Sequence, residues 1–225
     1  PSSNMTSAVP DIESRARDTA YMLTSWPSVT GTADQALFAE RLTRFLNTLK
    51  GIEAWKEQIP QDHLGRSNVF ALKRGASRRT IVLAGHFDTV PYDDYGPLKS
   101  FALDAQRVTE GLIARLSESG ENPKALADFM SGEFIGGRGL LDMKAGIAAG
   151  IAAMEQAAGD CSLMLVATPD EEDRSAGMRA AAPLLRRLAA RHDLDIELVI
   201  NLDAISDQGD GAAGRVAALG SIGKQ

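Results

Sequence analysis

The apolar positions of the chain change period several times, and each change marks an element. After Thr32, the residues Leu37, Phe38, Leu42, Phe45, Leu46 and Leu49 recur at helical spacing. Thr32 followed by Gln35 has the form of a capping box, so a helix is predicted there. An earlier helix is predicted from residue 11 to about residue 25, stopping before Pro27, because the position ahead of a proline is held out of the helical region. Four apolar runs read as buried strands, over residues 68–73, 80–87, 162–168 and 195–203. Helical patterns over about 142–157 and 176–191 lie between them. Strands alternating with helices indicate an α/β fold with at least some parallel pairing.

Residues 91–133 break this rhythm. They are polar and mixed, with turn signals around Tyr95–Pro97 and Gly120–Pro123, and are predicted to hold one or two short helices over the rim of the sheet. No internal repeat and no low-complexity tract is visible.

Composition narrows the picture. The chain has 225 residues, of which 44% are hydrophobic and 24% charged, as in ordinary globular proteins. No run approaches the roughly 18 apolar residues of a membrane span. The net charge of −6 argues against nucleic acid, which needs a basic face. Cys161, the one cysteine, has no internal disulfide partner and suits a reducing compartment. The opening PSSNMTSAVP has neither the charged nor the apolar region of a signal peptide and reads as a flexible lead-in, residues 1–10. A cytoplasmic protein with no membrane contact is expected.

Four clusters of histidine and acidic residues are read as falling at the downstream end of a predicted strand. They are His86 and Asp88 in GHFDTVP, Asp142 in GGRGLLDMKAG, Glu171 and Glu172 in TPDEED, and Asp203 in NLDAISD. Ligands of open α/β sheets bind beyond the carboxyl ends of the strands, so these clusters are placed to meet. Imidazole nitrogen and carboxylate oxygen suit zinc, and a bridging carboxylate holds two cations about 3.5–4 Å apart. His86 and Asp88 stand two apart on an extended segment and leave its same face. One can then ligate while the other fixes the imidazole tautomer. Adjacent glutamates cannot share a direction, so one can bind a cation while its neighbour serves as general base. Asp142, Glu171, Glu172 and Asp203 would place four negative charges in one cavity, and two divalent cations would cancel them.

Each cluster also has an ordinary reading. A histidine after a strand is commonly a hydrogen-bonded structural residue, an acidic run is commonly a solvated turn or helix start, Asp142 can cap the helix behind it, and Asp203 can end a strand. GGRG lacks the ending of a phosphate-binding P-loop. Together, at the ends of successive strands, the four clusters favour the metal reading. His63 and His192 are read as structural, and Arg78–Arg79 and Arg186–Arg187 as solvated faces.

These motifs, in this order from about residue 80 to 203, resemble those of the ArgE/DapE/aminoacylase/carboxypeptidase family of dinuclear zinc hydrolases, metallopeptidase family twenty. DYGPLKSFALD, DRSAGMRAA and the tail GDGAAGRVAALGSIGKQ resemble its arginine-utilisation, RocB-like branch. The resemblance implies a three-layer catalytic domain with a mixed, largely parallel sheet between helices, of which residues 11–225 are the N-terminal portion. It implies His86 and Asp203 on one metal, Asp142 bridging, Glu172 on the second, Asp88 orienting His86 and Glu171 as general base. It also implies a cis peptide at Asp142–Met143 and two divalent ions, by default zinc, with manganese or cobalt as alternatives. The implied reaction is hydrolysis of amide bonds in small N-acyl amino acids or peptides, by a metal-activated water. A further metal-binding histidine, an oxyanion-stabilising histidine and a lid and dimerisation domain are implied downstream. A homodimer is therefore expected for the full-length parent, and weak or no activity for this piece alone. The competing reading is a truncated or degenerate binding or scaffold module of the same fold.

Overall fold

A computed structural model describes residues 11–204. The lead-in over residues 1–10 and the GDGAAGRVAALGSIGKQ tail lie outside the described residues. Among those described, the elements run in the order α1 (Ile12–Thr24), α2 (Asp34–Leu46), β1 (Ile52–Gln58), β2 (Ser67–Lys73), β3 (Arg79–His86), α3 (Ala105–Ser119), α4 (Pro123–Met130), α5 (Ala145–Gln156), β4 (Ser162–Thr168), α6 (Ala176–His192) and β5 (Asp195–Asn201).

The five strands form one sheet in the order β1-β2-β4-β3-β5. β3 pairs in parallel with both β4 and β5, whereas β1 with β2 and β2 with β4 are antiparallel. The sheet is thus mixed, and its three parallel strands deliver their carboxyl ends to one edge. His86 aligns with Thr168, the last residue of β4. The β5 pairing ends at Ala84 with Asn201, two residues before Asp203.

Strand alternation divides the core into two layers. Val69, Ala71, Leu83, Leu165 and Ala167 face one side, under Leu23 of α1, Phe38 and Leu42 of α2, and Ile147 and Ile151 of α5. Phe70, Leu72, Val82, Met164 and Val166 face the other, under Ala181 and Leu188 of α6. Helices therefore cover both faces. Phe38 is wholly buried and stacks on Phe87 at 4.7 Å between ring centroids, which ties α2 to the residue between His86 and Asp88.

Several elements differ from the sequence reading, each for a local reason. β1 is absent from it, since IEAWKEQ is rich in Glu, Lys and Gln and poor in strand formers. Its place at the sheet edge, buried at Ile52 and Ala54 only, tolerates that composition. The capping box does not form. Ala33 occupies the N-cap of α2, Thr32 Oγ1 instead accepts the Asp34 amide at 3.3 Å, and Gln35 is buried with both side-chain polar atoms lacking a partner among the described residues. Residues 91–133 hold more helix than expected: a short 3-10 stretch at Asp93–Phe101, then α3 of 15 residues and α4 of 8. The helix read from residue 142 begins only at Ala145, and the strand read to 203 ends at Asn201.

Two glycines are required by close approach. A Cβ at Gly146 would lie 2.1 Å from the Leu202 carbonyl oxygen, and one at Gly177 would lie 2.4 Å from that of Pro169. Both lie where a helix start meets a strand exit, just beside the acidic clusters.

Candidate metal centre

The chain leaves β3 at His86 and turns at once, so His86 and Asp88 sit beneath the strand ends, 2% and 0% exposed. The His86 ring is oriented by Asp88, though mainly by its backbone. Nδ1 lies 3.1 Å from the Asp88 carbonyl oxygen and 3.4 Å from Oδ1 of its carboxylate. A donor at Nδ1 leaves the Nε2 lone pair as the ligating position. The carboxylate of Asp88 is largely engaged elsewhere: Oδ1 accepts the Glu171 amide at 3.0 Å, and Oδ2 accepts the Glu172 amide at 3.2 Å and the Thr30 hydroxyl at 2.7 Å.

Around Nε2 the other acidic residues gather. Asp142 Oδ1 lies at 2.9 Å, and Glu171 Oε2 and Asp203 Oδ2 each at 3.8 Å. One ligand atom each from His86, Asp142 and Glu172 fall within 4.8 Å of one another. All six residues singled out by the sequence thus converge, from β3, the turn before α5, the β4 exit and the β5 exit. Asp142 does not cap a helix. It stands in an extended conformation, φ −115° and ψ 95°, in the irregular turn Leu140–Lys144, and the Asp142–Met143 peptide is cis, as the resemblance implied.

The electrostatics fit a cation. Burial pushes the Glu172 carboxyl above its ordinary range, and Asp142, Glu171 and Asp88 add to that push, outweighing the opposing pull of His86. Burial likewise raises Asp203, with Asp142 and Glu171 contributing. Burial disfavours the charged imidazole of His86, yet Asp88, Asp142 and Asp203 outweigh it and raise the group to about 9. A cage this rich in carboxylate is relieved by positive charge, and a divalent ion is the form its N/O donor set suits. A His/Asp/Glu group able to hold a metal is therefore present.

Sequence reasoning missed the surroundings. A cleft of about 320 Å³ opens beside Asp142 and Glu172, walled by Val90, Tyr95, Arg138 and Leu141. The signal for Arg138 was its place between two glycines just ahead of Asp142 in GGRGLLD; it is paired with Asp94 and lies over the Tyr95 ring. Thr30 carried no signal, since it reaches Asp88 from the loop between α1 and α2. Lys144 is fully buried, donating to the Trp26 carbonyl at 2.7 Å and lying 4.8 Å from the centre of the Phe38 ring. His192 is structural, stacked on Trp55 at 4.9 Å, and Arg78 and Arg79 are exposed and ion-paired along the sheet rim. Among the described residues no helix is long and apolar enough to cross a membrane.

The chain thus presents a mixed α/β sheet flanked by helices, with a histidine–carboxylate cluster at its parallel strand ends, and comparison with known proteins finds this arrangement among metallopeptidases. Residues 118–216 match the model of peptidase family M20/M25/M40, a stretch that contains Asp142, Glu171, Glu172 and Asp203. Protein RocB of Bacillus subtilis (strain 168) is 31% identical over 214 residues, covering 90% of this chain and 37% of RocB. The chain therefore spans little more than a third of that relative. Among solved structures, the M20 family metallo-carboxypeptidase Sso-CP2 from Sulfolobus solfataricus superposes with a TM-score of 0.58 at 19% identity, covering 84% of this chain and 37% of that one. Human carnosine dipeptidase 1 gives 0.57 at 14% identity, covering 84% and 39%. The likeness to peptidase family M20/M25/M40 thus runs through residues 118–216 of this chain.

Proposed function

We propose that the protein to which this chain belongs hydrolyses amide bonds in small N-acyl amino acids or peptides, using two divalent metal ions. The observation that carries this reading is the approach of His86, Asp142 and Glu172 ligand atoms to within 4.8 Å of one another, with Glu171 and Asp203 beside them. In this reading His86 and Asp203 would hold one cation, Glu172 the second, and Asp142 would be shared between them. Zinc suits the donors best, with manganese or cobalt as alternatives. When bound, such ions acidify a water and polarise the scissile carbonyl. Asp88 keeps the His86 Nδ1 side engaged so that Nε2 faces the cluster. Glu171 takes the proton from water and returns it to the departing amine. The cleft beside Asp142 and Glu172 receives the substrate, with the exposed side chains of Val90 and Leu141 offering it an apolar contact.

Residues 11–225 are, in this reading, the N-terminal portion of the catalytic domain of a cytoplasmic protein, with dimerisation belonging to the full-length parent. The test is direct. The full-length protein, stripped by chelation, is assayed on N-acyl amino acids and dipeptides with zinc, manganese or cobalt restored. Activity that returns with metal supports the reading. Absence of amide hydrolysis with all three ions, together with no bound metal at saturation, overturns it.

A further inference from the structure

Residue Asp170 precedes the two glutamates and has a left-handed backbone, φ 71°, which only a few residue types adopt without support. The support is visible. Its side chain is 4% exposed, and Oδ1 accepts Nη1 of Arg66, a residue 104 positions away at the entry to β2. Asp170 Oδ2 accepts the Ala176 amide at 3.1 Å, and its carbonyl accepts the Ser175 amide, so Asp170 closes the loop that contains Glu171 and Glu172. Arg66 is fixed in turn by Asp62, whose Oδ1 accepts Nε at 3.0 Å and Nη2 at 2.6 Å, and whose Oδ2 accepts the Arg66 amide at 2.8 Å. The Arg66 side chain is 8% exposed and that of Asp62 4%.

We propose that the buried Asp62–Arg66–Asp170 chain is a positioning device for Glu171 and Glu172. Two carboxylates on one guanidinium is a costly way to fill a core, since apolar residues of similar volume generally stabilise as well or better. Its distinctive effect here is geometric. Asp88 grips the amides of Glu171 and Glu172 from the β3 side, and Arg66 grips the preceding residue from the β2 side. Held at both points, the backbone cannot rotate, and each glutamate is aimed by the loop rather than by its own rotamer alone. This rests on the reading of Glu172 as a cation ligand and Glu171 as general base.

The test compares Arg66→Met, Asp170→Asn and the double variant with the unsubstituted protein, by cobalt titration followed through the visible absorption of the bound ion and by amide hydrogen exchange. Asp170→Asn keeps an acceptor and the left-handed preference, so it serves if Arg66→Met fails to fold. Each single variant is expected to weaken cobalt binding roughly tenfold or more, the effect of removing a partner that orients a ligand. The double variant is expected to be no weaker than Arg66→Met, because both changes cut one connection. Amides 170–176 are expected to exchange faster while those of β3 and β4 do not. Cobalt affinity within twofold of the unsubstituted protein in a folded single variant overturns the proposal, as does unchanged exchange in the loop. If the unsubstituted protein itself binds no cobalt, the metal reading fails, and the exchange result alone decides whether the clamp orders the loop.

Discussion

Asp88 Oδ1 accepts the backbone amide of Glu171 at 3.0 Å, across 83 residues of chain. The residue that orients the imidazole thereby also anchors the acidic loop, so the β3 and β4 exits behave as one unit. With Oδ2 taken by Glu172 and Thr30, the carboxylate has donors on both oxygens. Burial opposes its ionisation, but His86 and these donors outweigh that and hold the Asp88 carboxyl below its ordinary range.

Asp88→Asn is expected to destabilise the protein by about 1–3 kcal/mol, the cost of a buried donor left facing a donor. An amide has one oxygen where the carboxylate uses two, so one NH₂ must point at a backbone N–H or at the Thr30 hydroxyl. The His86 titration midpoint should fall as well, since its strongest charged partner is gone. Thermal melts and an NMR titration of His86 check both halves; an unchanged midpoint contradicts the assigned contact.

Glu171→Gln is expected to abolish hydrolysis while leaving cobalt affinity nearly unchanged. Glutamine keeps the shape but cannot accept and return a proton, whereas the ligands assigned to the cations stay in place. Activity retained by this variant would sink the general-base assignment.

Cation binding is expected to expel a proton at neutral pH. The metal-free His86 imidazole, raised to about 9, is charged at pH 7, and ligation needs its Nε2 lone pair. Apparent affinity should therefore climb roughly tenfold per pH unit up to about pH 9 and level off above it. Calorimetry in two buffers of different ionisation enthalpy counts the proton, and no release at pH 7 would refute the assignment.

Lys144→Met is expected to change stability in opposite directions at the two ends of the pH scale. Burial pushes the Lys144 ammonium down to about 7, with Asp88 pulling weakly the other way. Its folded value lies below the ordinary 10.5, so the unfolded chain binds more protons between these values and the lysine protein gains stability as pH rises through that window. The methionine variant, with no ammonium to bury, should be the more stable protein below pH 7. Above about pH 10.5 it should be the less stable by roughly 1–2 kcal/mol, because the Trp26 carbonyl has lost its donor. Denaturant melts at pH 6 and pH 10.5 check the crossover.

The residues of the candidate centre were legible in the sequence because chemistry of this kind restricts residue type. Histidine and carboxylates in short motifs at strand ends stand out whatever surrounds them, and buried strands such as Ser162–Thr168 announce themselves by their apolar runs. β1 did not, because an edge strand with one buried face needs only Ile52 and Ala54 to be apolar. Thr32 and Gln35 illustrate the converse: a local pattern was present, but tertiary packing took Gln35 into the core and left the cap to Ala33.

The amino-acid sequence by itself determined the alternation of strands and helices and the list of groups able to hold a cation, since both depend on local periodicity and side-chain chemistry. Only the tertiary structure decided that β3, β4 and β5 run parallel and end at one edge. It also decided that Asp88 is shared between His86 and the glutamate loop, and that Arg66 reaches Asp170. Such contacts join residues up to 104 positions apart, and their partners are chosen by sheet order and helix packing, which no short stretch of chain encodes.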